Sequence, residues 1–208
     1  MYDATAPRRI LFAGGDLRQV TAAGVLAKTF AVSMAGFDRL DSLPEQVEAV
    51  PVLSDLQQAF DALILPMPVS QDGISVYAPF GGTPLHLTEL LPHVRAGGDV
   101  CGGMLTEADR KSITHAGLHA ADYVRQETFA LRNAVPTAEG AILTAMQELP
   151  VTLHGLPCLI IGAGRVSRAL QQRLRGLYAN VTVAARRFTD LARSKGCMRK
   201  PPYASPSV

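Results

Sequence analysis

The sequence predicts an α/β protein built on parallel sheets, and three observations carry that reading. Short apolar runs alternate with stretches of helical spacing from Arg9 to about residue 130, the pattern of strands joined by crossover helices. Three of the runs end in loops rich in glycine or proline: Gly14-Gly15-Asp16, Pro66-Met67-Pro68 and Gly102-Gly103. A later run, Leu159-Ile160-Ile161, passes through Gly162-Ala163-Gly164 into a helical segment and then into Val181-Thr182-Val183-Ala184.

Along the chain, residues 9–13 read as a first strand and residues 17–30 as a helix with Val20, Val25 and Leu26 toward the core. Residues 30–34 suit a second strand, 53–60 a helix and 62–66 a third strand. There follow a short helix at 88–94, a strand at 99–103, a helix at 107–116 and a strand at 118–123. Residues 133–140 lead into a helix at 141–149 that bridges to the second unit, with Pro136 at its first turn and Glu139 near its positive end. The domain boundaries expected are 8–132, a bridge and connector at 133–154, a partial domain at 155–195 and a disordered tail at 196–208, which has no apolar periodicity and three prolines.

Composition narrows the function. The 208 residues are 48% hydrophobic with a net charge of +2, enough for a core and too balanced for a nucleic-acid surface. No run approaches the roughly 18 apolar residues of a membrane span, and the polar start lacks a secretory signal. Three cysteines, Cys101, Cys158 and Cys197, have no metal spacing, nor do the five histidines, so no metal and a reduced cytoplasmic setting are expected.

The second unit carries the sharpest chemistry. A G-x-G turn between strand and helix lets the backbone approach a pyrophosphate, which then meets the helix's free N–H groups and positive dipole end. Gly162, Ala163, Gly164, Arg165, Val166 and Ser167 are the expected contacts, with Ser167 standing where the motif usually has its third glycine. A site for NAD ends the second strand in an acidic residue that holds the ribose 2′-OH, whereas this strand ends in Arg186 and Arg187, suited to the 2′-phosphate of NADP(H). The architecture expected is therefore a flavodoxin/Rossmann-like domain followed by an incomplete Rossmann NAD(P)-binding domain.

Several longer segments narrow the assignment further: Leu65-Pro66-Met67-Pro68-Val69-Ser70-Gln71-Asp72-Gly73, Ala78-Pro79-Phe80, Leu131-Arg132-Asn133-Ala134-Val135-Pro136-Thr137-Ala138-Glu139-Gly140-Ala141-Ile142, and Leu153-His154-Gly155 with Val181 to Arg186. In that order they resemble the A-subunit family of dipicolinate synthase, from about residue 9 to about 195. The resemblance implies a two-domain dehydrogenase that works with the synthase's second (B) subunit. It uses NADP to oxidise a tetrahydrodipicolinate-type lysine-pathway intermediate to dipicolinate in the mother cell of a sporulating bacterium.

A dicarboxylate substrate needs cationic or N–H-rich partners, so Asp16 and Arg18 after the first glycine turn, Ser70, Arg132, Asn133, Thr137 and Glu139 are the substrate candidates. Asn133 and Thr137 equally suit helix caps, Glu139 a dipole partner and Ser70 a turn. No acid or base is singled out, and homo-oligomerisation is left open. Because the strand pattern stops near residue 195, the chain is expected to be a truncated or frameshifted member, with two open strand edges in its second unit. The alternatives are a non-catalytic fragment retaining the substrate- or partner-binding domain and an unrelated NADP-dependent two-domain dehydrogenase.

Overall fold

In the computed structural model, which describes residues 8–55, 59–187 and 189, the first apolar run is the centre of a sheet. This strand, β1 (Arg9–Ala13), has Ile10, Leu11, Phe12 and Ala13 all buried, as a parallel strand covered on both faces requires. Its neighbours are β2 (Ala31–Ala35) and β4 (Phe60–Ile64); β3 (Val47–Val50) lies outside β2, and β5 (Val94–Gly102) and β6 (His119–Asp122) extend the other side. The order is β3-β2-β1-β4-β5-β6, and every pairing is parallel. Alternate residues feed two cores: Leu11, Leu63 and Val100 with Ile113 in one, and Ile10, Phe12, Val32 and Met34 with Ala23 in the other.

Among the described residues three helices serve this sheet: α1 (Leu17–Leu26), α2 (Leu87–Leu90), which continues as a 3₁₀ turn at Leu91–His93, and α3 (Glu107–His115). In α3, Thr106 and Asp109 form a reciprocal capping box. Several expectations are corrected. The first helix ends at Leu26 rather than residue 30, and Val25 is exposed. β3 answers to no apolar alternation, since Glu48 and Ala49 are exposed on an edge strand. Of the helix expected over 53–60, residues 56–58 lie outside the described residues; Leu53–Asp55 is a 3₁₀ turn, and Phe60, fully buried, belongs to β4, where sheet pairing overrides its helical spacing. β5 starts at Val94 rather than residue 99, with a register irregularity between Phe60 and Ala62. Asp61 secures that corner by accepting the Arg9 N–H at 2.7 Å and pairing with Arg95 at 2.8 Å.

The chain divides into two compact units, the first ending at Arg125 and the second beginning at Gln126. The second opens with α4 (Glu127–Glu148), followed by β7 (Pro157–Ile161), α5 (Arg165–Gly176) and β8 (Asn180–Ala184). The lead-in expected at 133–140 is therefore helix, with Pro136 inside it. Ala134, Ala138 and Ile142 form the buried stripe of α4, and Ile142 packs with Ile160 and Leu174, so burial keeps the segment helical despite the proline. β7 and β8 pair in parallel as a two-stranded sheet among the described residues. Cys158, Ile160, Val181 and Val183 face its core, whereas Leu159 is 64% and Ile161 85% exposed. The tail expected at 196–208 lies outside the described residues. No described helix is long and apolar enough to cross a membrane.

Candidate functional site

The strand order reverses between β1 and β4, and in open parallel sheets that point leaves a crevice beyond the carboxyl ends. Gly14 and Gly15 turn out of β1 with φ of 67° and 108°, conformations that glycine adopts without penalty. Asp16 then caps α1, accepting the Arg18 N–H at 2.9 Å, and grips the Arg18 guanidinium, with Nε–Oδ1 at 2.9 Å and Nη2–Oδ2 at 2.8 Å. This pairing holds the Asp16 carboxyl below its usual pKa and raises that of Arg18.

Arg18 Nη2 also donates to the Met67 carbonyl at 3.0 Å, tying the first loop to the loop after β4. Gln19 Nε2 and the Tyr123 hydroxyl both donate to the Leu65 carbonyl, at 3.3 and 3.2 Å. The third loop closes on the same place: a Cβ on Gly103 would lie 2.5 Å from Met67 Cβ and 2.9 Å from Tyr123 Cε2. Met104 follows with φ of 64°, its N–H donated to Asp122 Oδ1 at 3.2 Å, and Asp122 pairs with Arg110 at 2.9 Å. The edge thus offers an arginine already oriented by a carboxylate and an amide with a second N–H to give, a set suited to a small anion.

Burial pushes the Tyr123 phenol above its usual pKa. The folded protein therefore holds that proton more tightly than the unfolded chain. The associated stability is intact below about pH 10 and is lost as pH rises through the folded pKa. Tyr123→Phe is expected to flatten the alkaline loss of stability, measured by urea unfolding at pH 9 and pH 11; unchanged alkaline dependence rejects this.

The remaining candidates are placed as follows. Asp16 acts on Arg18 and on the helix cap, with both carboxylate oxygens engaged by Arg18. Ser70 is a turn residue: its hydroxyl donates to Asp72 at 2.8 Å and accepts the Gly73 N–H at 2.8 Å. Arg132 and Asn133 are exposed within α4, so Asn133 caps nothing. Thr137 likewise caps nothing, since it sits mid-helix and donates to the Asn133 carbonyl at 2.7 Å. Glu139 pairs with Arg173 of α5 at 3.0 Å, rather than standing at a helix start. Gln19, Tyr123, Asp122 and Arg110 join the site without having been candidates, and nothing in their spacing along the sequence signals it.

In the second unit, Gly162 has φ of 103° and donates its N–H to the Ala184 carbonyl at 2.7 Å. A Cβ added at Gly162 or Gly164 would meet no atom of the described residues within 4 Å, so among them the turn has open space in front of it. Gly164 caps α5 without a side-chain hydrogen bond, leaving the N–H groups of the first turn, Arg165, Val166 and Ser167, to an outside acceptor. These groups fit a dinucleotide pyrophosphate. The Arg165 side chain is engaged by Glu127, with Nε–Oε1 at 2.8 Å, so its contribution to such a ligand is its backbone. Ser167 is buried and accepts a hydrogen bond from Gln171 at 3.0 Å, which explains how a serine serves at the close-packing position. Arg186 and Arg187 are exposed just beyond β8.

A family model described as the N-terminal domain of the dipicolinate synthase A subunit matches residues 9–124, more than half of the chain and nearly all of the six-stranded unit. The chain belongs to the dipicolinate synthase A-subunit family. The A subunit of dipicolinate synthase from Bacillus subtilis (strain 168) is 27% identical over 192 residues, which are 89% of this chain and 63% of that protein. The crystal structure of the B. subtilis protein superimposes with a TM-score of 0.77 at 25% identity, covering 92% of this chain and 65% of that one. Its counterpart from Bacillus halodurans gives 0.78 at 25% identity, over 92% and 66%. The chain therefore spans just under two thirds of these dipicolinate synthase relatives. A transhydrogenase from Sinorhizobium meliloti, at 15% identity and a TM-score of 0.54 over 90% of this chain and 59% of that one, shares the fold alone. Within the family assignment, the Asp16–Arg18–Tyr123 edge lies inside the matched domain and the Gly162–Gly164 turn beyond it.

Proposed function

We propose that this chain acts as the NADP-dependent A subunit of a dipicolinate-forming dehydrogenase, partnered by the synthase's B subunit in the cytoplasm of a sporulating mother cell. The observation that carries the cofactor part is the uncapped start of α5 behind the glycine turn at Gly162, followed after β8 by Arg186 and Arg187. A pyrophosphate is anchored by the α5 N–H groups, and the two arginines supply charge-assisted hydrogen bonds to a 2′-phosphate.

The substrate is a tetrahydrodipicolinate-type dicarboxylate. Arg18, braced by Asp16 and the Met67 carbonyl, holds one carboxylate, while Gln19 and Tyr123 orient the ring beside it. In the second unit, Arg132, Asn133 and Thr137 on α4 stand as separate candidates for an anionic group, the Thr137 hydroxyl donating to the Asn133 carbonyl. When bound, the nicotinamide supplies a hydride acceptor. For each hydride that leaves the reduced ring one proton is released to solvent water; the Tyr123 phenol, whose own proton is given to the Leu65 carbonyl, offers the ring its oxygen as an acceptor. The likeness to the dipicolinate synthase A subunits of B. subtilis and B. halodurans supports this reading.

Calorimetric titration of the full chain with NADPH and NADH tests it. Saturable NADPH binding, with NADH weaker by about 10- to 100-fold, is expected from the loss of one phosphate's charge-assisted hydrogen bonds. Equal affinities overturn the NADP reading, and no binding by a folded chain overturns the cofactor site.

A further inference from the structure

The first unit has the parts of a dinucleotide site: the strand order, a glycine turn after β1, and an acidic residue, Asp38, just past β2. Its own chain fills the place where that ligand would lie. Residues 76–82, within the connection from β4 to α2, pass over the carboxyl ends of β1 and β2. The Tyr77 carbonyl accepts the Gly15 N–H at 2.7 Å, a donor that in a nucleotide site faces phosphate. Gly82 gives its N–H to Asp38 Oδ2 at 2.6 Å, occupying one oxygen of the carboxylate that a ribose hydroxyl would need and placing the strap's backbone against it.

Between these ends, Phe80 stacks on Phe37 with ring centroids 6.5 Å apart, and its carbonyl accepts the Arg39 N–H at 3.0 Å. The fit is close: a Cβ on Gly14 would stand 2.7 Å from the Tyr77 oxygen and 2.9 Å from Val76 Cγ1. The strap is anchored from below as well, Val76 N–H bonding Leu85 and Tyr77 N–H bonding Val69, each at 2.8 Å. The start of α1 is likewise taken, by the Asp16 carboxylate, in contrast to the uncapped start of α5.

We propose that the strap at residues 76–82 is a specificity element, latched by Asp38, that closes the nucleotide half of the first unit's crevice. Only the Arg18 side is then left to a ligand, a small carboxylate; that last clause rests on the function proposed above, and the closure does not.

Amide hydrogen exchange on the full chain, with ADP as the nucleotide probe, tests the closure. ADP is expected to leave exchange at residues 14–19 unchanged; protection there in the unaltered protein overturns the proposal. Asp38→Ala is expected to speed exchange about tenfold both across residues 77–82 and at Gly15, the loss of one latch hydrogen bond propagating along the strap. Asp38→Asn, which keeps an accepting oxygen, retains protection, and Phe80→Ala, which removes the ring stacking, gives the same gain as Asp38→Ala. Faster exchange confined to Gly82, with Gly15 still protected in both Ala variants, overturns the latch. Protection by ADP at residues 164–167 is read separately: its absence counts against the cofactor reading and leaves the strap result standing.

Discussion

Changing Arg186 and Arg187 together to Ala is expected to lower NADPH affinity about 100-fold while leaving NADH affinity within about twofold. Both side chains are exposed past the end of β8, so their loss removes no core contact and the fold stays intact. A hydrogen bond to a charged group contributes about 1.5–3 kcal/mol, so loss of both arginines amounts to a few kcal/mol at a phosphate exposed on one side. The 2′-phosphate is the difference between the two cofactors, and the NADH titration therefore separates a specificity effect from damage to the turn at Gly162. Arg187→Lys and Arg186→Lys are expected to retain part of the affinity, because an ammonium keeps the charge but not the bidentate fork. Equal loss for NADPH and NADH in the double variant would place the arginines in folding rather than in phosphate recognition.

How much of this is legible in sequence depends on whether the deciding contact is local. β1 announces itself because a central parallel strand is apolar on both faces, β7 because its run is apolar throughout even though Leu159 and Ile161 are exposed, and Gly162 because a strand must turn tightly into α5 there. Residues 133–140 read as a lead-in, since Asn133, Pro136 and Thr137 are poor helix formers. What makes them helical is long-range, the packing of Ile142 with Ile160 and Leu174. β3 is hidden for the converse reason, because an exposed edge strand needs no apolar alternation.

The site divides in the same way. Asp16 and Arg18 are two residues apart and stand out beside their glycine turn. Gln19 and Tyr123 meet at the Leu65 carbonyl from separate loops, and nothing in their spacing says so. Glu139 reads in sequence as a partner of its own helix's dipole, yet its partner is Arg173 on the next helix. The strap shows the same limit at larger scale: Asp38 and Gly82 are both visible as residues, and only the fold brings them to 2.6 Å.

The second large effect concerns Asp122, which carries no expected contact with ligand. Its side chain is 4% exposed and pairs with Arg110 at 2.9 Å, and it accepts the N–H groups of Met104 at 3.2 Å and Val124 at 3.1 Å. Arg110 Nε is buried with no hydrogen-bond partner among the described residues, so this guanidinium has little to fall back on. Asp122→Ala is expected to destabilise the first unit by about 3 kcal/mol, because removing one member of a buried pair strands the other charge. Met104, a non-glycine residue at φ of 64°, loses the acceptor that holds its strained conformation, so the Gly103–Met104 loop loosens against Met67 and Tyr123. Exchange of the β1 amides, which reports opening of the first unit alone, is expected to quicken about 100-fold. Combining Arg110→Met with Asp122→Leu should recover most of that loss, since apolar groups of similar volume replace a buried pair at little cost. The combined variant would still lack the Met104 acceptor, so it should fold well and bind a dicarboxylate poorly. A stable Asp122→Ala protein, within about 1 kcal/mol of the parent, would mean that water already reaches Arg110 and that the loop is held by the packing of Gly103 alone.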